Sequence, residues 1–206
     1  MQIDRRKFLR LFSAAALASI APIEQLVAFE RSRFRSDALK FSFEIPAGWH
    51  RPTLEEVRQN LQKQTFTDDE RISEVSATPL VAIYRHKEPH LGMNAGMWVY
   101  ADKYEAWMGP PCELASNYIH HMSSIVEDAR TQTPTEILVG GLQGAKTTLA
   151  YRLIVEADNF EHEVVDSSRL VYHRGHIIWF LFEQSLNGPE RAEAEFDLIE
   201  RSISFA

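Results

Sequence analysis

The sequence predicts an α+β fold, an antiparallel sheet flanked by helices. Three observations lead there. The second half of the chain carries strand-patterned segments joined by short glycine turns, a spacing that suits hairpins. Two segments, 112–130 and the stretch after Asn187, carry apolar residues at helical spacing instead. Between them, Ile177-Ile178-Trp179-Phe180-Leu181-Phe182 is apolar without alternation, which marks a strand covered on both faces and places it in mid-sheet. Helices must supply that cover, giving a three-layer sandwich.

The elements follow in order. Arg31 to Ser36 is polar and basic and reads as a mobile lead-in, part of a flexible stretch over 29–38. Leu39, Phe41, Phe43 and Ile45 alternate with Lys40, Ser42 and Glu44, the period of a half-buried strand, and Pro46-Ala47-Gly48 ends it before Trp49. Thr53-Leu54-Glu55-Glu56 is a capping box, in which hydroxyl and carboxylate satisfy the amides of a helix start. Leu54, Val57 and Leu61 continue that helix to about Gln64, and 65–78 is an acidic, polar loop. Pro79 to Tyr84 and Gly96 to Tyr100 read as strands.

Pro110 and Pro111 open the clearest helix, where missing amide donors cost little. Its apolar face is Leu114, Tyr118, Met122, Ile125, Val126 and Ala129, which carries it to Arg130, and Pro134 ends the linker behind it. Strands follow at 136–139, 148–156, 163–172 and 177–182, with turns at Gly140-Gly141 and Arg174-Gly175. Asn187-Gly188-Pro189-Glu190 starts a closing helix whose buried stripe is Ala192, Phe196, Ile199 and Ile203.

The amino terminus tells where the chain works. Asp4-Arg5-Arg6-Lys7-Phe8-Leu9-Arg10 precedes a short alanine-rich apolar run from Leu11 to Ala21, too short to span a bilayer as a permanent helix. It resembles a bacterial twin-arginine export signal, matched by Arg5, Arg6, Phe8 and Leu9, with Arg10 keeping the final positive charge. It departs at Asp4, where Ser or Thr is usual, and at Glu24. Small residues around Leu26-Val27-Ala28 suit a cleavage site, so 1–28 is read as signal and 39–206 as one domain. An uncleaved signal would be its one tie to the membrane. The whole chain has 22 basic and 29 acidic residues, net −7. Residues 1–28 hold four basic and two acidic ones, so the remainder carries 18 against 27, net −9. That balance argues against nucleic acid or anionic lipid as partner, since both need a basic face. Cys112 is the only cysteine and has no internal disulfide partner.

Several features resemble the PsbP family and its bacterial relatives of the DcrB type. They are the strand ending in Phe43-Glu44-Ile45-Pro46-Ala47-Gly48-Trp49, the Gly140-Gly141 turn into a long alternating strand, the aromatic strand after it, and the closing helix with its tail from Phe196 to Phe205. The resemblance spans most of 39–205 and implies an α/β/α sandwich in an extracytoplasmic or lumenal accessory or binding protein. Its matching positions are turns and core, so it carries no site residues across.

Candidate sites are few. Gly140-Gly141-Leu142-Gln143-Gly144-Ala145-Lys146-Thr147 is one residue from a phosphate-binding loop, with Ala145 where the second glycine belongs. Such a loop needs a helix behind it, and a strand pattern follows here, so it reads as a turn. His173 and His176 flank Arg174-Gly175 and would lie side by side as the closing pair of a hairpin. A metal needs three or four ligands and no third is evident, so two solvated turn histidines are the plainer reading. His120 and His121 point about 100° apart on a helix and cannot chelate together. Cys112 begins a helix, where the dipole favours the thiolate and makes a reactive thiol conceivable. No Gly-x-Ser-x-Gly or His-Glu-x-x-His motif occurs.

The expectation is therefore a non-catalytic periplasmic accessory or binding protein without a cofactor. It would meet the twin-arginine translocon during export, and afterwards an envelope protein or a small ligand. The ligand would lie over a sheet face or in a groove beside Trp98, Trp107 or Trp179. The alternatives are an exported enzyme or metal protein using His173, His176 or Cys112, and a structural subunit of an envelope complex.

Overall fold

A computed structural model describes residues 29–30, 33–53, 55–57, 79–87, 93–155, 160–187 and 191–206. The export-signal residues Arg5, Arg6, Phe8 and Leu9 and the 65–78 loop lie outside the described residues.

Two antiparallel sheets organise the chain. The smaller joins β1 (Phe29–Glu30), β2 (Arg33–Ser36), β3 (Phe41–Glu44) and β10 (Ser204–Phe205) in the order β1-β2-β3-β10. The larger has six strands. They are β4 (Val81–Tyr84), β5 (Gly96–Lys103), β6 (Glu127–Val139), β7 (Leu142–Val155), β8 (Phe160–His173) and β9 (His176–Ser185), in the order β4-β5-β9-β8-β7-β6. Helix α1 (Pro111–Ser123) precedes β6, and α2 (Glu193–Ser202) follows β9. This is the predicted antiparallel α+β sandwich, with β9 inside the sheet between β5 and β8.

One face of the large sheet is an aromatic core. Phe34, Phe41 and Phe43 from the small sheet meet Val171, Ile178, Phe180 and Phe182 from the large one, and Phe196 and Ile199 of α2 close it. All four residues of the predicted closing stripe are buried, Ala192, Phe196, Ile199 and Ile203. Arg169 is 5% exposed on this face and is held by Glu200 of α2 through two bonds, Nε at 2.9 Å and Nη2 at 2.6 Å, while it lies 5.0 Å over the Phe182 ring. The opposite face takes α1, whose Leu114, Tyr118 and Ile119 pack on Leu170, Ile177 and Trp179.

Three expectations are corrected. The stretch read as a lead-in, 29–38, carries a strand over 33–36, where β2 pairs with β3 from Arg33–Glu44 to Ser36–Phe41. Arg33-Phe34-Arg35-Ser36 alternates like any strand, and Phe34 stacks on Phe43 at 5.0 Å. The strand after it begins later than the alternation suggests, since 37–40 is a turn with Lys40 at φ 51°. Helix α1 stops at Ser123, well short of Arg130. The hydroxyls of Ser123 and Ser124 bond back to the carbonyls of Ile119 and His121, competing with continued helix. Asp128 then takes φ 52°, and 127–139 is strand. Pro134 sits inside that strand. Because β6 is a sheet edge, the missing amide costs no ladder bond, and the register shifts between Gln132 and Thr135.

Both tight turns have left-handed backbone at both central residues. Gly140 and Gly141 have φ 55° and 85°, and Arg174 and Gly175 have φ 51° and 75°, the signature of two-residue hairpins. The capping box forms as predicted, with the Thr53 amide donating to Glu56 Oε2 at 2.7 Å and the Glu56 amide to Thr53 Oγ1 at 3.2 Å.

Candidate functional site

The face beneath α1 combines aromatic rings with acids, which a plain core would avoid. Alternation along β8 sends Asp166, Ser168, Leu170 and Tyr172 to this side, and along β9 it sends Ile177, Trp179, Leu181 and Glu183. Antiparallel register then sets Asp166 directly opposite Glu183. Neighbouring strands add Tyr100 and Trp98 from β5 and Tyr151 and Thr147 from β7, since Tyr100 faces Trp179 and Thr147 faces Ser168. Gly96 faces Glu183 across the ladder, and a Cβ there would lie 2.7 Å from the Tyr84 ring. Glycine lets that ring close down beside the site.

Hydroxyls are the groups that hold the acids. Tyr118 of α1 donates to Asp166 Oδ2 at 2.9 Å, and Ser168 donates to Asp166 Oδ1 at 2.9 Å. Tyr151 donates to Glu183 Oε1 at 2.5 Å. Asp166 is 5% exposed. Burial, and then repulsion from Glu183, raises its pKa to about 7 against the pull of the two hydroxyls. Burial raises Glu183 as well, offset in part by Tyr151. Burial, with the nearby acids, also lifts the tyrosine hydroxyls of Tyr100, Tyr118 and Tyr151 above their ordinary value, so they remain donors. Arg169 pulls on Asp166 only from across the sheet, because Glu200 occupies its guanidinium on the other face. The Thr147 hydroxyl oxygen is buried here without a hydrogen-bond partner.

The predicted site residues lie elsewhere. His173 and His176 are opposite each other, as the hairpin requires. His173 packs on Phe205 with ring centroids 4.8 Å apart, and burial lowers its pKa. His176 Nδ1 lies 3.0 Å from the Arg174 carbonyl. Among the described residues, no group of three or more His, Cys, Asp or Glu side chains could hold a metal ion. Cys112 does stand in the first turn of α1, half-buried, but burial and then Glu136 push its thiol up, against the expected thiolate. Gly140-Gly141 is the turn between β6 and β7, and a strand follows it. Of the three tryptophans expected beside a ligand, Trp98 and Trp179 line the acid-bearing face, while Trp107 packs farther along it and donates its ring N–H to Glu105. The acid pair went unseen because it depends on register. The legible signal was an acid at an alternating position in line with Leu170.

Comparison with solved structures defines the fold class. No family model and no curated protein matches the chain. The solution structure of cyanobacterial PsbP (CyanoP) from Synechocystis sp. PCC 6803 superposes with a TM-score of 0.51 at 16% identity, covering 92% of this chain and 99% of that one. The crystal structure of LpqN, involved in cell envelope biogenesis of Mycobacterium tuberculosis, gives 0.50 at 7% identity, covering 81% and 83%. The chain has a PsbP-like α+β fold. No helix among the described residues is long and apolar enough to cross a membrane.

Proposed function

We propose that this chain is an exported, non-catalytic accessory or binding protein of the periplasm, and that it takes its ligand or envelope partner on the face beneath α1. The carrying observation is the Asp166–Glu183 pair set among Tyr100, Tyr118, Tyr151, Trp98 and Trp179. Polar groups fixed by an otherwise aromatic wall suit recognition. Both oxygens of Asp166 accept protein hydroxyls, which fixes where the carboxyl points. The PsbP-like fold fits an accessory role, and fold alone assigns none. The twin-arginine start supplies the route.

Two measurements test this reading. Replacing Arg5 and Arg6 together by Lys should strand the protein in the cytoplasm, and normal export of that variant would refute the route. Crosslinking in intact cells, followed by identification of the captured chains, should recover an envelope protein or a small ligand bound at this face. Crosslinks that avoid the face and are unchanged by Tyr118→Phe would refute its assignment.

A further inference from the structure

We propose that Asp166, Glu183 and the buried Thr147 hydroxyl form a binding site for an organic cation, a primary or substituted ammonium group. This rests on the reading above that the face beneath α1 is the binding face.

Three independent features point to a positive ligand. First, two acids oppose each other across a β-ladder, and no Lys or Arg bonds to either among the described residues. Repulsion between them is relieved by one positive charge placed between or above them. Tyr151 takes one oxygen of Glu183, which leaves the other to a ligand. Second, Thr147 is 4% exposed, and its Oγ1 has no partner although its residue faces Ser168, the donor to Asp166. A buried hydroxyl without a partner is costly, and an N–H donor reaching the acids would satisfy it. Third, Trp98, Tyr100 and Trp179 put their rings on the same side of the sheet as the acids. Aromatic faces attract ammonium groups and repel carboxylates. Access comes from the outer part of the patch, where Glu183, Tyr100 and Tyr151 are each only half-buried.

Binding couples to protonation. The cation requires at least one ionised acid, so affinity rises with pH through the range in which Asp166 loses its proton. The other titratable groups facing the pair are the phenols of Tyr100 on β5, Tyr118 on α1 and Tyr151 on β7, all raised and therefore silent in that range. Arg169 lies behind the sheet, paired to Glu200.

The test uses the full chain, n-butylammonium chloride as probe and n-butanol as its neutral counterpart, followed by calorimetry and by the NMR signals of the tryptophan ring N–H groups. Butylammonium should bind saturably and at least tenfold more tightly than butanol at about pH 8, with affinity falling several-fold by about pH 6. Asp166→Asn and Glu183→Gln, each confirmed folded by its tryptophan NMR signals, should each weaken it about tenfold, and Thr147→Val several-fold. Equal binding of butanol would overturn the cation assignment while leaving the face as a binding surface. Undiminished butylammonium binding in both acid variants would place the cation elsewhere and overturn the site. Absence of any tryptophan NMR shift with either probe would overturn both the cation site and the binding face.

Discussion

Raising the pH from about 5 to about 8 forces Asp166 to ionise where no cation meets it. Its carboxyl stands at about 7 in the folded chain against an ordinary 3.8. Below 3.8 the folded and unfolded chains both hold the proton. Between 3.8 and about 7 only the folded chain holds it, so stability falls as the pH rises, and above 7 the loss is complete. At about 1.4 kcal/mol for each tenfold change in proton affinity, the full loss is about 4 kcal/mol, of which about 3 kcal/mol falls between pH 5 and 8. Urea unfolding followed by tryptophan fluorescence reads this, since Trp98 and Trp179 sit in the affected face. Glu183 and Asp102, raised by burial and the latter to about 6, add losses of the same sign. His162 and His173, lowered by burial, contribute the opposite, a gain as pH rises towards their ordinary 6.5. Asp166→Asn separates these contributions, because it removes one falling limb and leaves the rest. The variant is expected to lose ground at low pH, where an amide serves the Tyr118 and Ser168 hydroxyls less well than a carboxyl, and to recover about 3 kcal/mol relative to wild type by pH 8. A variant whose profile runs parallel to wild type over that range would refute the argument that Asp166 is buried without compensation.

Three further substitutions probe how the layers are held. Glu200→Ala leaves the Arg169 guanidinium buried against Phe182 with Ser167 as its remaining polar contact, and should cost about 3 kcal/mol in the urea midpoint. Gly140→Ala and Gly141→Ala compare two left-handed turn residues in different surroundings. A Cβ at Gly140 would lie 2.8 Å from the Phe205 ring and 2.9 Å from the Ile203 carbonyl, whereas one at Gly141 meets nothing within 4 Å. The first should destabilise by about 2 to 3 kcal/mol and the second by about 1 kcal/mol, and equal effects in thermal unfolding would remove the contact to the carboxy-terminal tail as the cause.

Local patterns carried the hairpins and the closing helix. Arg174-Gly175 with strand pattern on both sides sufficed to place His173 opposite His176, and that register is the one found. Apolar periodicity failed where two structures could use the same residues. Ile125, Val126 and Ala129 fit the α1 stripe on paper, yet the serine back-bonds at 123 and 124 end the helix, so Ile125 and Val126 fall in the turn behind it and Ala129 in β6. Phe34 was hidden in a basic stretch whose alternation is only four residues long. The site was less legible than the fold. Its acids come from separate strands, 17 residues apart in the chain and opposite only through the β8–β9 register, and the tyrosines that hold them come from α1 and β7. A search for named motifs looks along the chain, and this cluster exists only across it.

The strand period itself explains why the acids stay unneutralised. Asp166 and Arg169 both lie on β8, three residues apart, close enough in sequence to suggest a pair. An odd separation sends them to opposite faces of the sheet. Arg169 turns into the aromatic core, where Glu200 is supplied from α2, so that charge is neutralised and ties helix to sheet. Asp166 turns beneath α1, where its partners are a tyrosine, a serine and another acid. An even separation would have set the two charges on one face, where they could cancel, and left no tether for α2. The same alternation that builds the hydrophobic layers thus gives one face of β8 to a neutralised ion pair that ties α2 to the sheet, and the other to an acid buried among hydroxyls beneath α1.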